Sequence, residues 1–203
     1  MKFCPLCAAP LEERVPAGDD RPRKVCPACD AVHYENPRPV VGCMIEHEER
    51  VLLCRRAIEP ARGLWTVPAG YLELGEAAVD GALRETREEA CADASVIAPH
   101  AYFDLPHIGQ TYALFRARLA RPEIAAGAES LEVGFFGWDE IPWGELAFPV
   151  VHFALRLLDD DRRAGARHLH LGIVRWLGRG SRFDPSSYEL QDHRRVPIVE
   201  PER

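Results

Sequence analysis

Four of the seven cysteines lie in two Cys-x-x-Cys pairs near the start of the chain. The first pair is Cys4 and Cys7, the second is Cys26 and Cys29, and residues 8–25 separate them. The intervening stretch is polar and rich in turn-forming residues. A segment of about 35 residues is too short to fold on a hydrophobic core alone, so it needs a cross-link or a bound metal to hold one structure.

The cysteine pattern resembles a zinc ribbon, in which four thiolates close a tetrahedral site around one structural Zn²⁺ ion. The resemblance implies a module at residues 1–35 whose zinc ligands are Cys4, Cys7, Cys26 and Cys29. Paired Cys-x-x-Cys units at this separation favour zinc, while redox motifs or chance pairs are the alternatives. His33 lies close by, but four cysteines already fill the coordination shell, so we expect His33 not to bind the metal.

Length, composition and charge favour one medium-sized globular domain with a small attachment. The chain has 203 residues, of which 47% are hydrophobic, and this is enough to build a core. The net charge of −7 argues against a reader of duplex nucleic acid, because such proteins are usually basic. The first ten residues lack the apolar segment of a signal peptide, and no apolar run approaches the roughly 20 residues that cross a bilayer. We therefore expect a cytoplasmic protein with no membrane partner, for which nucleic acid is not the main ligand.

After a short linker, strand and helix patterns follow one another through residues 36–162. Strands are expected in VVGCMIEHEERVLLCRR (two, with a turn at 47–49), LWTVPAGYLEL, SVIAPHAYFDL, QTYALFRARLA and VGFFGWDEIPW. Apolar residues at helical spacing predict helices from Glu76 to Ala90 and in FPVVHFALRLLDDDRR. Residues 163–203 are expected to form a partly irregular extension, with one strand in LHLGIVRW and an irregular tail. This order predicts an α+β or α/β sandwich.

The first predicted helix carries three glutamates close together, Glu85, Glu88 and Glu89. Like charges three and four residues apart repel one another and weaken an isolated helix. At about 100° per residue the three carboxylates can converge on one point, where a hard divalent cation such as Mg²⁺ or Mn²⁺ would offset the repulsion. Taken alone, however, the helix favours another explanation, an exposed face on which Arg84 and Arg87 form ion pairs.

The flanking residues change this balance. The spacing G-x5-E-x7-R-E-x-x-E-E is matched by Gly70, Glu76, Arg84, Glu85, Glu88 and Glu89. This resembles the Nudix box of the Nudix hydrolases, in which bulky aliphatic residues and a second glycine complete the motif. Thr86 and Ala92 are smaller than usual at the aliphatic positions, and Cys91 replaces the second glycine. Because that glycine would end the helix in the left-handed conformation, we expect the following loop to turn differently.

The resemblance extends beyond the box to most of residues 1–160. It includes YENPRPVVGC, GLWTVPAGYLE, IGQTY, ESLE and DEIPW, which resemble a zinc-ribbon branch of the superfamily that contains FAD and ADP-ribose diphosphatases. The resemblance implies an α+β fold, an α/β/α sandwich with a mixed sheet, preceded by the ribbon, with the Nudix domain at residues 36–162. Enzymes of this type are commonly homodimers, so we expect a homodimer.

The resemblance also implies roles for individual residues. The expected ligands of the catalytic Mg²⁺ or Mn²⁺ ion are the Gly70 carbonyl, Glu85, Glu88 and Glu89. One of the glutamates could instead be the general base, and members of the superfamily differ in this respect. Arg84 would orient Glu85, with Glu76 as its ion-pair partner. A further carboxylate often comes from a loop outside the box; we favour Glu129 over Glu132, and a solvated acidic loop is the competing explanation.

Substrate contacts are expected from arginines and aromatic residues near the box. Arg55 and Arg56 end a predicted strand and could bind a diphosphate through paired hydrogen bonds. Four aromatic side chains could stack on an adenine or flavin ring, although a place in the core is the alternative for each: Trp65, Tyr71, Phe103 and Tyr112.

The resemblance implies hydrolysis of a diphosphate that links a nucleoside to another group, with FAD and ADP-ribose as the first small-molecule substrates and AMP as a product. An NADH diphosphatase is the second candidate, but those enzymes carry an SQPWPFPxS stretch after the box, whereas this chain has IAPHAYFDLPHIGQTY. A regulatory module that binds a nucleotide or RNA is a candidate of another class, and the complete glutamate set argues against it. The box alone leaves capped RNA and damaged nucleotides open as substrates.

Overall fold

The computed structural model describes residues 1–199 and separates into two units, Met1–Pro37 and the part from Arg38 onward. The first unit contains three short antiparallel strands, β1 (Glu12–Arg14), β2 (Arg23–Val25) and β3 (Val32–His33). Apart from cysteines, Val25 is among its few buried apolar side chains. A unit with so little buried apolar surface needs another source of stability.

The second unit is built on one mixed sheet of nine strands. Its strands are β4 (Arg38–His47), β5 (Arg50–Arg56), β6 (Trp65–Thr66), β7 (Ala69–Tyr71), β8 (Ala94–Leu105), β9 (Gln110–Leu119), β10 (Ser130–Gly137), β11 (His168–Trp176) and β12 (Tyr188–Pro197). Its helices are α1 (Ala78–Ala90) and α2 (Pro149–Ala164), with short 3-10 turns at Pro106–Ile108, Trp143–Glu145 and Pro185–Ser187. Seven strands lie in the order β10, β5, β4, β9, β8, β11, β12, while β6 pairs with β5 and β7 with β4. The pairs β4–β9 and β8–β11 are parallel.

The two helices cover opposite faces of this sheet. Along β4, Val40 and Met44 pack with residues of α2, whereas Val41 and Ile45 pack in the cluster that contains α1. Side chains alternate between the faces of a strand, so both faces of the central strands are buried. The α/β/α sandwich of the α+β class that the sequence predicts is therefore confirmed. Among the described residues, neither helix is long and apolar enough to cross a membrane.

The main departure from the predicted elements lies near the C-terminus. The expectation of an irregular tail is wrong between residues 188 and 197, where β12 pairs with β11 and extends the sheet. Most side chains of β12 are exposed or half-buried, so its sequence has no hydrophobic alternation that could reveal it. Its backbone hydrogen bonds to β11 define the strand instead. Residues 200–203 of the predicted tail lie outside the described residues.

The end of α1 adopts the turn that a glycine would give, although Cys91 stands there. Cys91 has φ 47° and ψ 29°, in the left-handed region, and its N–H donates to the Arg87 carbonyl. The expectation that the loop turns differently is therefore wrong. This conformation is unfavourable by about 1–2 kcal/mol for a residue with a Cβ. The Cys91 thiol is exposed.

Replacing Cys91 by glycine should stabilise the protein. We expect Cys91→Gly to raise the free energy of unfolding by about 0.5–1 kcal/mol, because the relief of the strained Cβ outweighs the extra freedom of glycine in the unfolded chain. Cys91→Ala is the matched control, since it removes the thiol but keeps the Cβ. Urea unfolding followed by circular dichroism measures both variants, and equal stability of the two would contradict the expected gain, because the relief of strain would then not exceed the entropic cost of glycine.

Candidate active site and zinc site

The four cysteine sulfurs of the first unit lie together. Sγ of Cys7 is 3.4 Å from Sγ of Cys26 and 3.6 Å from that of Cys29, while Sγ of Cys4 is 3.7 Å from that of Cys29. Zn–S bonds of about 2.3 Å place the sulfurs of a tetrahedral site about 3.8 Å apart. The cysteine set therefore fits one structural zinc ion with little rearrangement.

Backbone N–H groups and one histidine support these sulfurs. Burial raises the pKa of the Cys26 thiol, but hydrogen bonds from the backbone of Ala28 and Cys29 and from the other cysteines bring it down to about 7. Nε2 of His33 lies 3.5 Å from Sγ of Cys4. This distance suits a hydrogen bond that orients the cysteine ligand, and the expectation that His33 does not bind the metal stays a prediction.

In the second unit, Arg84 gathers the carboxylates of the box. Its Nη1 donates to Oε1 of Glu85 at 2.8 Å and to Oε2 of Glu88 at 3.0 Å. Its Nε and Nη2 donate to the two oxygens of Glu76 at 3.1 and 2.7 Å. Nη2 also donates to the carbonyl of Tyr71 at 3.1 Å. One guanidinium thus holds three glutamates and the end of β7 in fixed relative positions. Glu76, predicted to start the helix, instead precedes it as the partner of Arg84.

The backbone of β7 lies directly against two of the carboxylates. A Cβ at position 70 would lie 2.3 Å from Oε1 of Glu85, so any side chain there would displace this carboxylate. The N–H of Ala69 donates to Oε2 of Glu89 at 3.0 Å. Gly70 is therefore required by the close approach of its backbone to Glu85, in addition to the role expected for its carbonyl.

The electrostatics of the site disfavour several ionised carboxylates without a cation. Glu89 is only 4% exposed. Burial raises the pKa of Glu89 to about 7, with a backbone N–H and Arg56 lowering it and Glu85 and Glu129 raising it. Burial also raises the pKa of Glu85. A bound divalent cation would offset the cost of burying these negative charges.

The carboxylates do not meet at one point as the helical spacing suggests. Among the described residues, the clusters of at least three possible metal ligands within 4.8 Å of one another do not include Glu85, Glu88 and Glu89. Arg84 bonds to two of them and a backbone N–H holds the third. This spread does not suit a site in which the protein supplies every ligand. It suits Mg²⁺ or Mn²⁺, because Mg²⁺ usually takes one or two carboxylates and completes its shell with water and substrate phosphate.

Glu129 reaches this region through a loop that packs on the end of α1. The N–H of Gly127 donates to the Glu89 carbonyl at 3.1 Å and so satisfies part of the helix terminus. A Cβ at position 127 would lie 1.7 Å from the Glu88 carbonyl oxygen. Only glycine permits this approach. The spacing of the box did not predict this contact between the loop and the helix.

A cavity of about 880 Å³ opens beside the carboxylates. The predicted site residues that line it are Arg56, Gly70, Tyr71, Arg84, Glu85, Glu88, Glu89, Tyr112 and Glu129. The structure therefore brings together the box, the extra carboxylate, one arginine and two of the aromatic residues.

Arg55, Trp65 and Phe103 are absent from the cavity lining defined by residues 1–199. Arg55 and Arg56 are neighbours on one strand, so their side chains leave opposite faces. Arg55 instead forms an ion pair with Glu132 at 3.6 Å. Trp65 and Phe103 belong to the hydrophobic core. The contacts with substrate that the sequence suggested for Arg55 and Trp65 thus have no counterpart in this geometry.

One wall of the cavity was missed by the sequence reasoning. It contains His107, from the turn between β8 and β9, and Arg182, Phe183 and Tyr188, from the segment expected to be an extension. The Tyr188 hydroxyl donates to the Arg182 carbonyl at 3.1 Å, and the rings of His107 and Tyr188 lie 5.5 Å apart. The available signal was the pair of aromatic residues Phe183 and Tyr188 in the predicted tail. Their position depends on the pairing of β12, which the sequence does not reveal.

Comparison with known proteins identifies the family. Residues 2–35 match the zinc-ribbon model described as Nudix N-terminal, and residues 36–159 match the NUDIX domain. The chain therefore belongs to the Nudix hydrolase family, with an N-terminal zinc-ribbon domain of the Nudix type.

Individual relatives agree with this assignment. A crystal structure of a Nudix hydrolase from Nitrosomonas europaea is 49% identical, with a TM-score of 0.82 over 85% of this chain and 98% of that one. The NAD-capped RNA hydrolase NudC of Stutzerimonas stutzeri is 31% identical over 88% of this chain, which spans 58% of that relative's length. The ADP-ribose pyrophosphatase of Methanocaldococcus jannaschii is 28% identical over 57% of this chain and 69% of its own length.

Removing one cysteine ligand should release zinc and loosen the first unit. We expect Cys29→Ser to lose about one zinc ion per chain relative to the wild type and to become sensitive to proteases within residues 1–35. Cys91→Ser is the control, because it removes an exposed cysteine outside the ribbon. Plasma mass spectrometry and limited proteolysis measure the two effects. Unchanged zinc content, or a metal-free first unit that still resists proteases, would contradict the assignment.

Proposed function

We propose that this protein hydrolyses the diphosphate bond of a nucleoside diphosphate linked to a second group, with Mg²⁺ or Mn²⁺ as the catalytic cation. The observation that supports this most directly is one cavity whose lining includes Glu85, Glu88, Glu89 and Glu129 together with Arg56 and several aromatic side chains. Its volume of about 880 Å³ lies near the upper end of the range of about 300–1,000 Å³ for small-molecule sites. A cavity of this size can hold a diphosphate together with groups at both ends.

The residues on the carboxylate side of the cavity have different proposed roles. Glu85, Glu88, Glu89 and the Gly70 carbonyl are the proposed ligands of the cation, which when bound supplies charge neutralisation on the phosphates and activation of water. The short contacts of Arg84 and the Ala69 N–H hold these carboxylates in place before substrate arrives. Glu129 supplies a further carboxylate, as a cation ligand or as the acceptor of the proton from the attacking water.

Arg56 is the proposed contact for a phosphate oxygen. Its Nε donates to the carbonyl of Pro60 at 2.8 Å, and its guanidinium lies 5.1 Å from the centre of the Phe148 ring. These contacts fix a positive charge on the cavity wall near Glu89, whose pKa it lowers. A guanidinium held in this way loses little side-chain entropy when it binds an anion.

Aromatic residues provide the proposed surface for the nucleoside. Tyr71 is half-exposed; its hydroxyl accepts a hydrogen bond from Nε2 of Gln110 at 2.8 Å, and the Arg38 guanidinium lies 5.0 Å from its ring centre. Tyr112 is almost fully buried, and burial raises its pKa to about 12, so its hydroxyl stays protonated and can donate to a substrate. Phe183 is partly exposed on the wall formed by the C-terminal segment and could stack on a base.

ADP-ribose and FAD are the first proposed substrates, supported by the segments outside the box that resemble diphosphatases acting on them and by the similarity to an ADP-ribose pyrophosphatase. NADH is the second candidate; the comparisons support it at least as strongly, since the similarity to an NAD-capped RNA hydrolase extends through both units. Residues 97–112 lack the stretch typical of NADH diphosphatases, which is the reason for this order. The homodimer stays a prediction.

Replacing the acidic side chains of the box by amides should abolish most of the activity. We expect Glu88→Gln and Glu89→Gln each to lower turnover by at least about 100-fold, or about 3 kcal/mol of barrier, because the proposed cation loses a charged ligand. Glu132→Gln is the matched control, since Glu132 belongs to the neighbouring strand and pairs with Arg55 outside the cavity. Initial rates with saturating Mg²⁺ or Mn²⁺ measure the effect, and circular dichroism tests the fold. Near-normal rates in both variants would remove these residues from the mechanism.

The substrate order is tested with a panel of nucleotides. ADP-ribose should give AMP and ribose 5-phosphate, and FAD should give AMP and FMN, each only with a divalent cation; NADH should react more slowly. In ¹⁸O-water, one labelled oxygen should appear on the phosphate of a single product, because water attacks phosphorus and the bridging P–O bond breaks. Clear cleavage of capped RNA or a nucleoside triphosphate, with no cleavage of ADP-ribose, FAD or NADH, would overturn the substrate assignment and leave the hydrolase assignment intact.

A further inference from the structure

A second group of titratable side chains lies away from the proposed active site, in what we call the histidine cluster. Its members are His100 on β8, Asp161 on α2, His168 and His170 on β11, and His193 on β12. None of them belongs to the cavity lining defined by the described residues. The cluster therefore connects one helix with three adjacent strands, and the proposed hydrolysis gives it no task.

His100 contains a buried nitrogen that no protein group satisfies. The side chain is 0% exposed, and its Nε2 lies 2.9 Å from the carbonyl of Ala154. A carbonyl can only accept, so Nε2 carries the hydrogen and Nδ1 carries the lone pair. Within residues 1–199, Nδ1 is a buried atom without a hydrogen-bond partner. Buried polar atoms are rarely left in this state in folded proteins, and a bound cation would give this lone pair a partner.

Asp161 is held in a single orientation. Its Oδ1 accepts a hydrogen bond of 2.6 Å from Nδ1 of His168, and its Oδ2 accepts one of 3.0 Å from the backbone N–H of His168. The carboxylate is 2% exposed. These contacts leave Oδ2 pointing toward Nε2 of His170, which lies 3.2 Å away.

His170 can present a lone pair to the same place. Its Nδ1 lies 3.0 Å from Nε2 of His193. If Nδ1 donates to His193, Nε2 of His170 carries a lone pair that faces Oδ2 of Asp161. Two acceptors at this distance repel unless a cation lies beside them. In the other tautomer, Nε2 donates to Asp161, and the histidine cluster is then only a hydrogen-bonded core, with Nδ1 of His100 still without a partner.

We propose that Nδ1 of His100, Nε2 of His170 and Oδ2 of Asp161 bind a divalent ion of the zinc class. One ligand atom from each of these residues lies within 4.8 Å of the others. Metal–ligand bonds of about 2.0–2.1 Å place neighbouring ligands of a tetrahedral ion about 3.3–3.4 Å apart, so an approach of the side chains by at most about 1.5 Å gives the three atoms the spacing of three ligands of such an ion. The nitrogen-rich donor set suits zinc rather than Mg²⁺ or Ca²⁺.

The surrounding hydrogen bonds match the outer shell of a metal site. Histidine ligands usually donate their second N–H to a carbonyl or another acceptor, which fixes the ring. Here His100 donates to the Ala154 carbonyl, and His170 has His193 beside its second nitrogen. Since the three ligands are almost completely buried, no substrate can reach the ion. The role is structural, and the ion joins the C-terminal part of α2 to β8 and β11.

The test compares the zinc content of full-length variants. His100→Gln and His170→Gln should each hold about one zinc ion per chain less than the wild type after equilibration with a zinc buffer and removal of free metal. His152→Gln is the matched control, because His152 lies on α2, also has a buried unpartnered Nδ1, and is not part of the cluster. The ribbon and the carboxylates are the same in the wild type and the three variants. A difference in zinc content between these proteins therefore reports the ion bound at the histidine cluster. Equal zinc content in all four would overturn the proposal.

A second measurement keeps the proposal testable if the two cluster variants do not fold. X-ray absorption at the zinc edge of the wild-type chain should show imidazole ligands in addition to sulfur, because the proposed ion has two histidine ligands and the ribbon has four thiolates. A spectrum with sulfur but without the multiple-scattering signal of imidazole would overturn the proposal and leave His100, Asp161 and His170 as a hydrogen-bonded core.

Discussion

The geometry of the proposed active site depends on the contacts of one side chain, Arg84. Its guanidinium binds Glu76, Glu85 and Glu88 and also the backbone at the end of β7. A helix with adjacent glutamates would otherwise be weakened by repulsion. Two glycines make room for this network, because a Cβ at Gly70 would collide with Glu85 and one at Gly81 would lie 2.7 Å from Oε1 of Glu76. The spacing of the motif thus meets a packing requirement in addition to placing the chemical groups of the site.

The sequence predicted the features that depend on local spacing. The ribbon, the two helices and the box follow from distances of a few residues along the chain, and the structure has them at the predicted positions, except that α1 begins at Ala78 rather than Glu76. It did not predict which of Arg55 and Arg56 lines the cavity, since that depends on which face of the strand each one leaves. It also missed β12, because a strand whose side chains are mostly exposed is defined by its hydrogen bonds to β11 rather than by hydrophobic alternation.

The end of α1 shows how tertiary structure can override a local rule. The loop that carries Glu129 must pack on the last turn of the helix, where Gly127 lies against the Glu88 carbonyl. At the same end of the helix, the chain leaves α1 in the left-handed conformation, and Cys91 adopts it despite its Cβ. The preference of a single position for glycine therefore did not decide how the helix ends.

The C-terminal strands connect the histidine cluster with the cavity. Tyr188, on the cavity wall, begins β12, and His193 lies further along the same strand beside His170 of β11. The register between β11 and β12 shifts between Leu171 and Ile173, so the pairing is irregular between the two sites. An irregular edge pair is weakly specified by its own side chains. An ion that holds His170 against α2 would fix β11, and through its hydrogen bonds to β12 it would also fix Tyr188 and the segment that carries Phe183. The position of β12 and of the proposed nucleoside surface at this edge of the sheet would then depend on contacts on the α2 side of the sheet.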